Sequence, residues 1–164
     1  MANILAVMDP ARDSQPAITR CLEVRQSVSL RIHAALFVDE GGLSEAELDA
    51  KRAWLDDEVQ PLVEAGYEVT IRVQPFRRLY ETIIHVADEC DADLVLKPLR
   101  HHSALARSFF TSTDWNLVRM CGTPVMFLGA SSSIAGRPVL AAVDACDSDR
   151  DHYELNRMVL SQAR

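Results

Sequence analysis

Two apolar rhythms alternate along this chain. Residues 4–8, Ile-Leu-Ala-Val-Met, form an unbroken apolar run that stops at Asp9-Pro10. Parallel strands covered on both faces lose their polar alternation, so this run predicts a buried strand. Over residues 14–27 the period changes: Ala17, Ile18, Cys21, Leu22 and Val24 recur at helical spacing. Ser14 is the expected N-cap, with Pro16 in the first turn. Residues 31–38 predict a second strand, ended by Asp39-Glu40-Gly41-Gly42. A long helix is expected over 44–65. Ser44 and Glu47 have the spacing of a capping box, and Gly66 is placed to close the helix.

The strict alternation of residues 67–74 predicts a half-exposed third strand, followed by a helix over 76–90 marked by Leu79, Ile83, Ile84 and Ala87. A fourth strand is expected over 93–97. Residues 98–112 follow as a connection with no clear period, leading to a helix over 113–120 capped by Ser112 or Thr113. Residues 124–128 read as a fifth strand. Alternating strands and helices imply a parallel sheet with helices on both faces and right-handed crossovers.

After the fifth strand the pattern restarts. Residues 130–137 are mostly small and read as a linker. Pro138-Val139-Leu140-Ala141-Ala142-Val143-Asp144 then echoes Asn3-Ile4-Leu5-Ala6-Val7-Met8-Asp9, and an amphipathic helix is expected over about 148–163. A repeat outranks most local signals. The expected organisation is one domain over 1–129 and the first strand and helix of a truncated second copy over 138–164. The natural protein is then expected to be longer.

Composition narrows the function more than the fold. At 48% hydrophobic and 25% charged, the chain suits an ordinary globular domain with a real core. No apolar run reaches the roughly 20 residues needed to span a bilayer. The start of the chain lacks the basic and small-residue pattern of a signal peptide, so a cytoplasmic location is expected. The net charge of −7 argues against nucleic acid as a partner, because phosphate affinity comes from Lys and Arg. Cys21, Cys90, Cys121 and Cys146 form no CxxC pair and read as packed thiols. His101-His102 lacks a third metal ligand at useful spacing. His33, His85 and His152 read as structural, and packing is the expected role of Trp54 and Trp115. No catalytic motif occurs, so no enzymatic activity is expected.

The segment Asp93-Leu94-Val95-Leu96, the extended loop, Thr111-Ser112 and the helix running into Cys121-Gly122-Thr123-Pro124-Val125 together resemble the C-terminal half of the universal stress protein family. Residues 4–9 are similar to that family's first strand. The likeness covers residues 1–128 and restarts over 137–164. Within the family it is nearest to the first half of tandem, E-type members, through Asp93-Leu94-Val95-Leu96-Lys97 and Phe110-Thr111-Ser112-Thr113-Asp114-Trp115. The resemblance implies a doubly wound five-stranded parallel α/β sheet, Rossmann-like, of strand order 3-2-1-4-5. It also implies a stress-response role without a defined reaction.

Many such proteins hold ATP through the pattern G-x2-G-x9-G followed by Ser or Thr. Glycine lets backbone amides approach phosphate, and a helix N-terminus favours an anion. An ungapped match places Pro98, His101 and Thr111 at the three glycines, while Ser112 persists. The resemblance therefore implies a degenerate nucleotide site and no ATP cofactor. The alternative is an adenine-nucleotide-binding protein with slow ATP hydrolysis. Asp9 and Val38 match positions that touch nucleotide in ATP-binding relatives.

The loop after the fourth strand carries Arg100, His101, His102 and Arg107 and no acid, and it leads to a helix start at Ser112 and Thr113. That pattern suggests a small anionic ligand near the switch point of the sheet. Lys97 ends an apolar strand and is expected to snorkel outward or to pair with a carboxylate such as Asp9. Residues 124–128 are expected to form a sheet edge. An open apolar edge is a liability, and the family pairs domains along it, so a homodimer or pairing with a second domain is expected.

Overall fold

The computed structural model describes residues 1–23, 29–41, 43–102, 107–129, 140–142 and 150–162, with the backbone alone at 100–102, 107–109, 150–152 and 162. The chain divides into two compact units, Met1–Ser133 and Ile134–Arg164.

The first unit is built on a five-stranded parallel sheet. Its strands are β1 (Ala2–Met8), β2 (Leu30–Asp39), β3 (Glu68–Phe76), β4 (Leu94–Pro98) and, after a short hairpin, β7 (Val125–Leu128). The spatial order is β3-β2-β1-β4-β7, which is the expected 3-2-1-4-5 order once the hairpin strands are set aside. Ala2–Met8 of β1 faces Leu30–Leu36 of β2 on one side, and Ile4–Ala6 faces Leu94–Leu96 of β4 on the other. The order reverses between β1 and β4, and the carboxyl ends of both strands open on the same edge of the sheet.

Helices cover both faces. Beneath one lie α1 (Pro16–Glu23) and α2 (Glu45–Glu64), with Ile4, Met8, Ile18, Leu36, Leu55 and Leu62 in a single buried cluster. On the other, α3 (Leu79–Glu89) and α4 (Ser112–Met120) bury Leu5, Val7, Ile83, Val86, Val95 and Leu117. Successive residues of β1 thus feed opposite cores, which is why the run 4–8 shows no polar alternation.

The expected ends of α2 are both present. Ser44 Oγ accepts from the Glu47 amide at 3.3 Å, while the Ser44 amide donates to Glu47 Oε2 at 2.8 Å. At the other end Gly66 sits at φ +85°, with its amide donating to Val63 and that of Tyr67 to Leu62. This is the Schellman arrangement, in which a glycine takes the left-handed backbone at no steric cost.

Four local expectations shift. The first bond of α1 runs from the Thr19 amide to the Gln15 carbonyl, so Gln15, not Ser14, precedes the helix and Pro16 is its first residue. Phe76 closes β3 instead of opening α3, because β2 continues to Asp39 and holds Phe76 in register. Pro75 is tolerated there because β3 is an outer strand of the sheet. The connection after β4 is an antiparallel hairpin of β5 (Arg100–His102) and β6 (Arg107–Phe109), pairing His102 with Arg107. The cap of α4 is Thr111, not Ser112 or Thr113, because its partner Asp114 stands three residues on.

In the second unit, α5 (Arg150–Gln162) occupies the expected helix. The strand expected over 138–144 lies largely outside the described residues, and Leu140–Ala142 within it carry no regular structure. Among the described residues no helix is long and apolar enough to cross a membrane.

Candidate functional site

A cleft of about 470 Å³ opens at the carboxyl ends of β1, β2, β3 and β4. That is within the size range of small-molecule sites. It lies where the strand order reverses, the place at which open α/β sheets take ligands. Asp9, Val38, Lys97 and Pro98 line it, together with Phe37, Asp39, Leu43, Lys51 and Phe76. Three of the expected site residues therefore share one cavity. Ser112 and Thr113 belong to the first turn of α4 and are not among its walls. Arg100, His101 and Arg107 lie on the hairpin, and their side chains are outside the described part.

The turn after β1 is fixed by side chains. Gln15 is buried, and its amide grips Asp9 twice: Oε1 accepts from the Asp9 amide at 3.0 Å and Nε2 donates to the Asp9 carbonyl at 2.9 Å. The Asp9 carboxylate accepts from the Ala11 amide at 3.1 Å and meets Arg12 Nε at 3.4 Å. Arg12 also donates to the Leu99 carbonyl, tying the end of β1 to the segment after β4. Neither Gln15 nor Arg12 stood out in the sequence, because a buried glutamine in a turn has no distinguishing pattern.

Lys97 does not pair with Asp9. Its Nζ lies 2.6 Å from Asp114 Oδ1, with Lys97 almost fully buried and Asp114 wholly so. Nζ also donates to the Pro98 carbonyl at 3.3 Å. Asp114 is held in turn by Thr111, whose amide and hydroxyl donate to Oδ2 at 2.6 Å and 2.8 Å. The Lys97 contact approaches Oδ1 off the direction of a well-formed hydrogen bond, so it is an ion pair by proximity and charge. The expected partner lost because Gln15 and Arg12 already hold Asp9, while the crossover through the hairpin returns Asp114 beside β4.

This pairing changes the chemistry of the site. The start of α4 would ordinarily draw an external anion to its free amides. Here the chain's own carboxylate fills that role and carries its own counter-ion. Among the described residues no group of three His, Cys, Asp or Glu side chains comes together to hold a metal. Among the described residues no thiol lines the cleft: Cys21 is fully buried, and burial pushes its thiol up to about 12. Lys51 was missed as well. It and Lys97 are the only lysines in the chain, and both line this cleft. That scarcity was the available signal.

Trp115 departs from its expected packing role. It is 54% exposed and meets Phe110 in a tilted contact with ring centroids 5.4 Å apart, and Phe110 in turn meets Phe127 of β7 at a centroid distance of 4.9 Å. Trp54, by contrast, is partly buried against the α2-side core.

A parallel sheet of order 3-2-1-4-5 with helices on both faces and a cleft at its switch point defines a Rossmann-like α/β domain. The model of the universal stress protein family matches residues 1–128, and the chain belongs to that family. Among curated relatives, universal stress protein E of Photorhabdus laumondii is 30% identical over 99% of this chain and 56% of its own length. Universal stress protein E of Escherichia coli K12 is 28% identical over 98% of this chain and 55% of its own. The chain thus spans about half the length of these relatives. A crystal structure from Pseudomonas aeruginosa UCBPP-PA14, assigned to the universal stress proteins, superposes with a TM-score of 0.79 at 25% identity, covering 99% of this chain and 56% of the other. A universal stress protein from Archaeoglobus fulgidus, solved in complex with dAMP, shares the fold at a TM-score of 0.59 and 16% identity over 77% of this chain and 96% of its own.

Proposed function

We propose that this domain is a non-catalytic, ligand-sensing stress protein whose cleft does not hold the phosphates of ATP in the manner usual for the family. The observation that carries the reading is the buried Lys97–Asp114 pair, with Thr111 closing the cap around the same carboxylate. An incoming phosphate would meet a helix start already satisfied by Asp114 and would face that negative charge. Pro98 at the end of β4 has no amide hydrogen to offer. Isothermal titration with ATP and AMP is expected to give no binding heat, and the melting temperature is expected to stay unchanged. Micromolar ATP binding would sink the reading. The proposed place of action is the cytoplasm, which cell fractionation checks.

A second reading is an adenine nucleotide held in the cleft, with slow ATP hydrolysis. It is favoured by the dAMP complex of the Archaeoglobus neighbour, by Asp9 and Val38 in the cleft wall, and by the basic residues Arg100, His101 and Arg107 on the hairpin. Nucleotide retained through native purification, with phosphate release on standing, would establish it.

Assembly is proposed along β7. Among the described residues this strand pairs only with β4, so its outer backbone groups are open. Val125, Met126 and Phe127 are half-buried, while Phe110, Trp115 and Val118 are exposed. Light scattering is expected to give the mass of a dimer at micromolar concentration. A monomer at every concentration tested would refute pairing between copies of this chain.

A further inference from the structure

On the α3 side of the sheet, the outer pair of strands carries polar side chains instead of a covered core. Arg31 of β2 is half-buried there, and Glu68, Thr70 and Arg72 of β3 are exposed. His33 sits among them, opposite Thr70 on β3 and Leu5 on β1. Its Nδ1 lies 2.8 Å from Thr70 Oγ1. Its Nε2 is buried and has no hydrogen-bond partner among the described residues.

This position suits a neutral imidazole better than a charged one. A neutral ring can exchange one hydrogen bond with the Thr70 hydroxyl and leaves one nitrogen unpaired. A charged ring carries a proton on both nitrogens, and the buried Nε2–H would have no acceptor. Two guanidiniums flank it: Arg31 is two residues back on β2, and Arg72 is diagonal to it on β3. Glu68 opposes them, but its two oxygens already accept from Arg31 at 2.7 Å and 3.1 Å. Arg72 is paired with Glu89 of α3, which also meets His85 at 3.4 Å. The Cys90 thiol, also within the field of Arg72, is pushed up by burial and stays neutral. From β1 this face presents Leu5, which does not titrate. Burial first, then the charges of Arg31 and Arg72, hold His33 below its usual range against the pull of Glu68.

We infer that His33 is an acid-sensitive latch on the outer strand: protonation of its ring releases β3 from β2. Release is easiest at β3 because that strand has β2 as its one partner strand and an open polar face. Val69 and Val73 still pack against the α2-side core, so the change is a local opening and not loss of the fold. β3 also supplies Phe76 to the cleft wall, so the opening reaches the candidate site. The folded state disfavours the charged ring. Its stability is therefore complete above the unfolded histidine value of about 6.5 and is lost as pH falls through the lower folded value.

Hydrogen–deuterium exchange of the 164-residue chain, corrected for intrinsic exchange rates, tests the latch. Between about pH 7 and about pH 5 the opening constant of the amides of residues 70–73 is expected to rise about fivefold or more. At the acid end these amides are expected to open more readily than Leu5 and Val95 in the central strands. Glu81 and Glu89 are held below the usual carboxylate range by Arg78 and Arg72, so their titration falls beneath this window. His33→Gln keeps a hydrogen-bonding side chain that never charges, and it is expected to abolish the rise. His85→Gln is expected to keep it. Titration of the imidazole signals by NMR is expected to place His33 below about 6.5. That measurement uses the unmodified chain, so it decides even where His33→Gln fails to fold. The inference is overturned by the absence of a rise, by a rise that survives His33→Gln, or by one that His85→Gln abolishes. It is overturned equally by matched opening of β3 and the central strands, or by titration of His33 at or above about 6.5.

Discussion

Asp114→Ala is expected to destabilise the first unit by about 3–5 kcal/mol, the range for removing one partner of a buried ion pair. Two losses coincide at this position. The buried Lys97 ammonium would be left with only the Pro98 carbonyl at 3.3 Å, and the Thr111 amide and hydroxyl would lose their acceptor. The cap alone is worth about 1 kcal/mol, so the stranded charge supplies most of the effect. Asp114→Asn should fall between wild type and Ala, since it keeps an acceptor for Thr111 but not the negative charge. The double substitution Lys97→Met with Asp114→Leu should recover most of the loss, because an apolar pair of similar volume removes the desolvation problem along with the attraction. Urea unfolding followed by circular dichroism reads all four proteins. A loss below about 1 kcal/mol for Asp114→Ala would mean that water solvates Lys97 and that the pair is not buried in solution.

The pair also shows where sequence reasoning reaches its limit. Strand and helix types were legible because each rests on local periodicity: the apolar run 4–8, the alternation 67–74, the Ser44–Glu47 spacing and Gly66. Sheet order was legible through family resemblance, and the register of β1 between β2 and β4 agrees with it. The cleft walls Asp9, Val38 and Lys97 were legible because they end strands, and strand ends at a switch point face a common space. Pairings were not legible. Asp9 and Lys97 end neighbouring strands, so proximity alone favoured them as partners. The decision was made by Gln15 and Arg12 on one side and by the return of α4 on the other, which are tertiary facts. The same holds for Lys51: its helix was expected, but the side that meets β2 depends on how α2 packs. Phe76 was misplaced for a related reason, since the length of an outer strand is set by its neighbour and not by its own pattern.

Leu117→Ala should cost about 2–5 kcal/mol, the span for truncating a fully buried leucine. Leu117 is 0% exposed and packs in the cluster formed by Leu5, Val7, Ile83, Val86 and Val95. It follows Asp114 by three residues, so both side chains emerge from the same buried side of α4. One holds the helix to the sheet by charge at the end of β4, the other by packing beneath it. Because both substitutions loosen one short helix of 9 residues, their effects should not add. The double variant is expected to lose less than the sum of the singles by about 1 kcal/mol or more, since α4 can detach only once. Additive losses in a double-mutant cycle would show that α4 stays docked in each single variant. The Lys97–Asp114 pair would then act on the end of β4 alone, and occupation of the anion position by Asp114 would no longer depend on the packing of the helix that carries it.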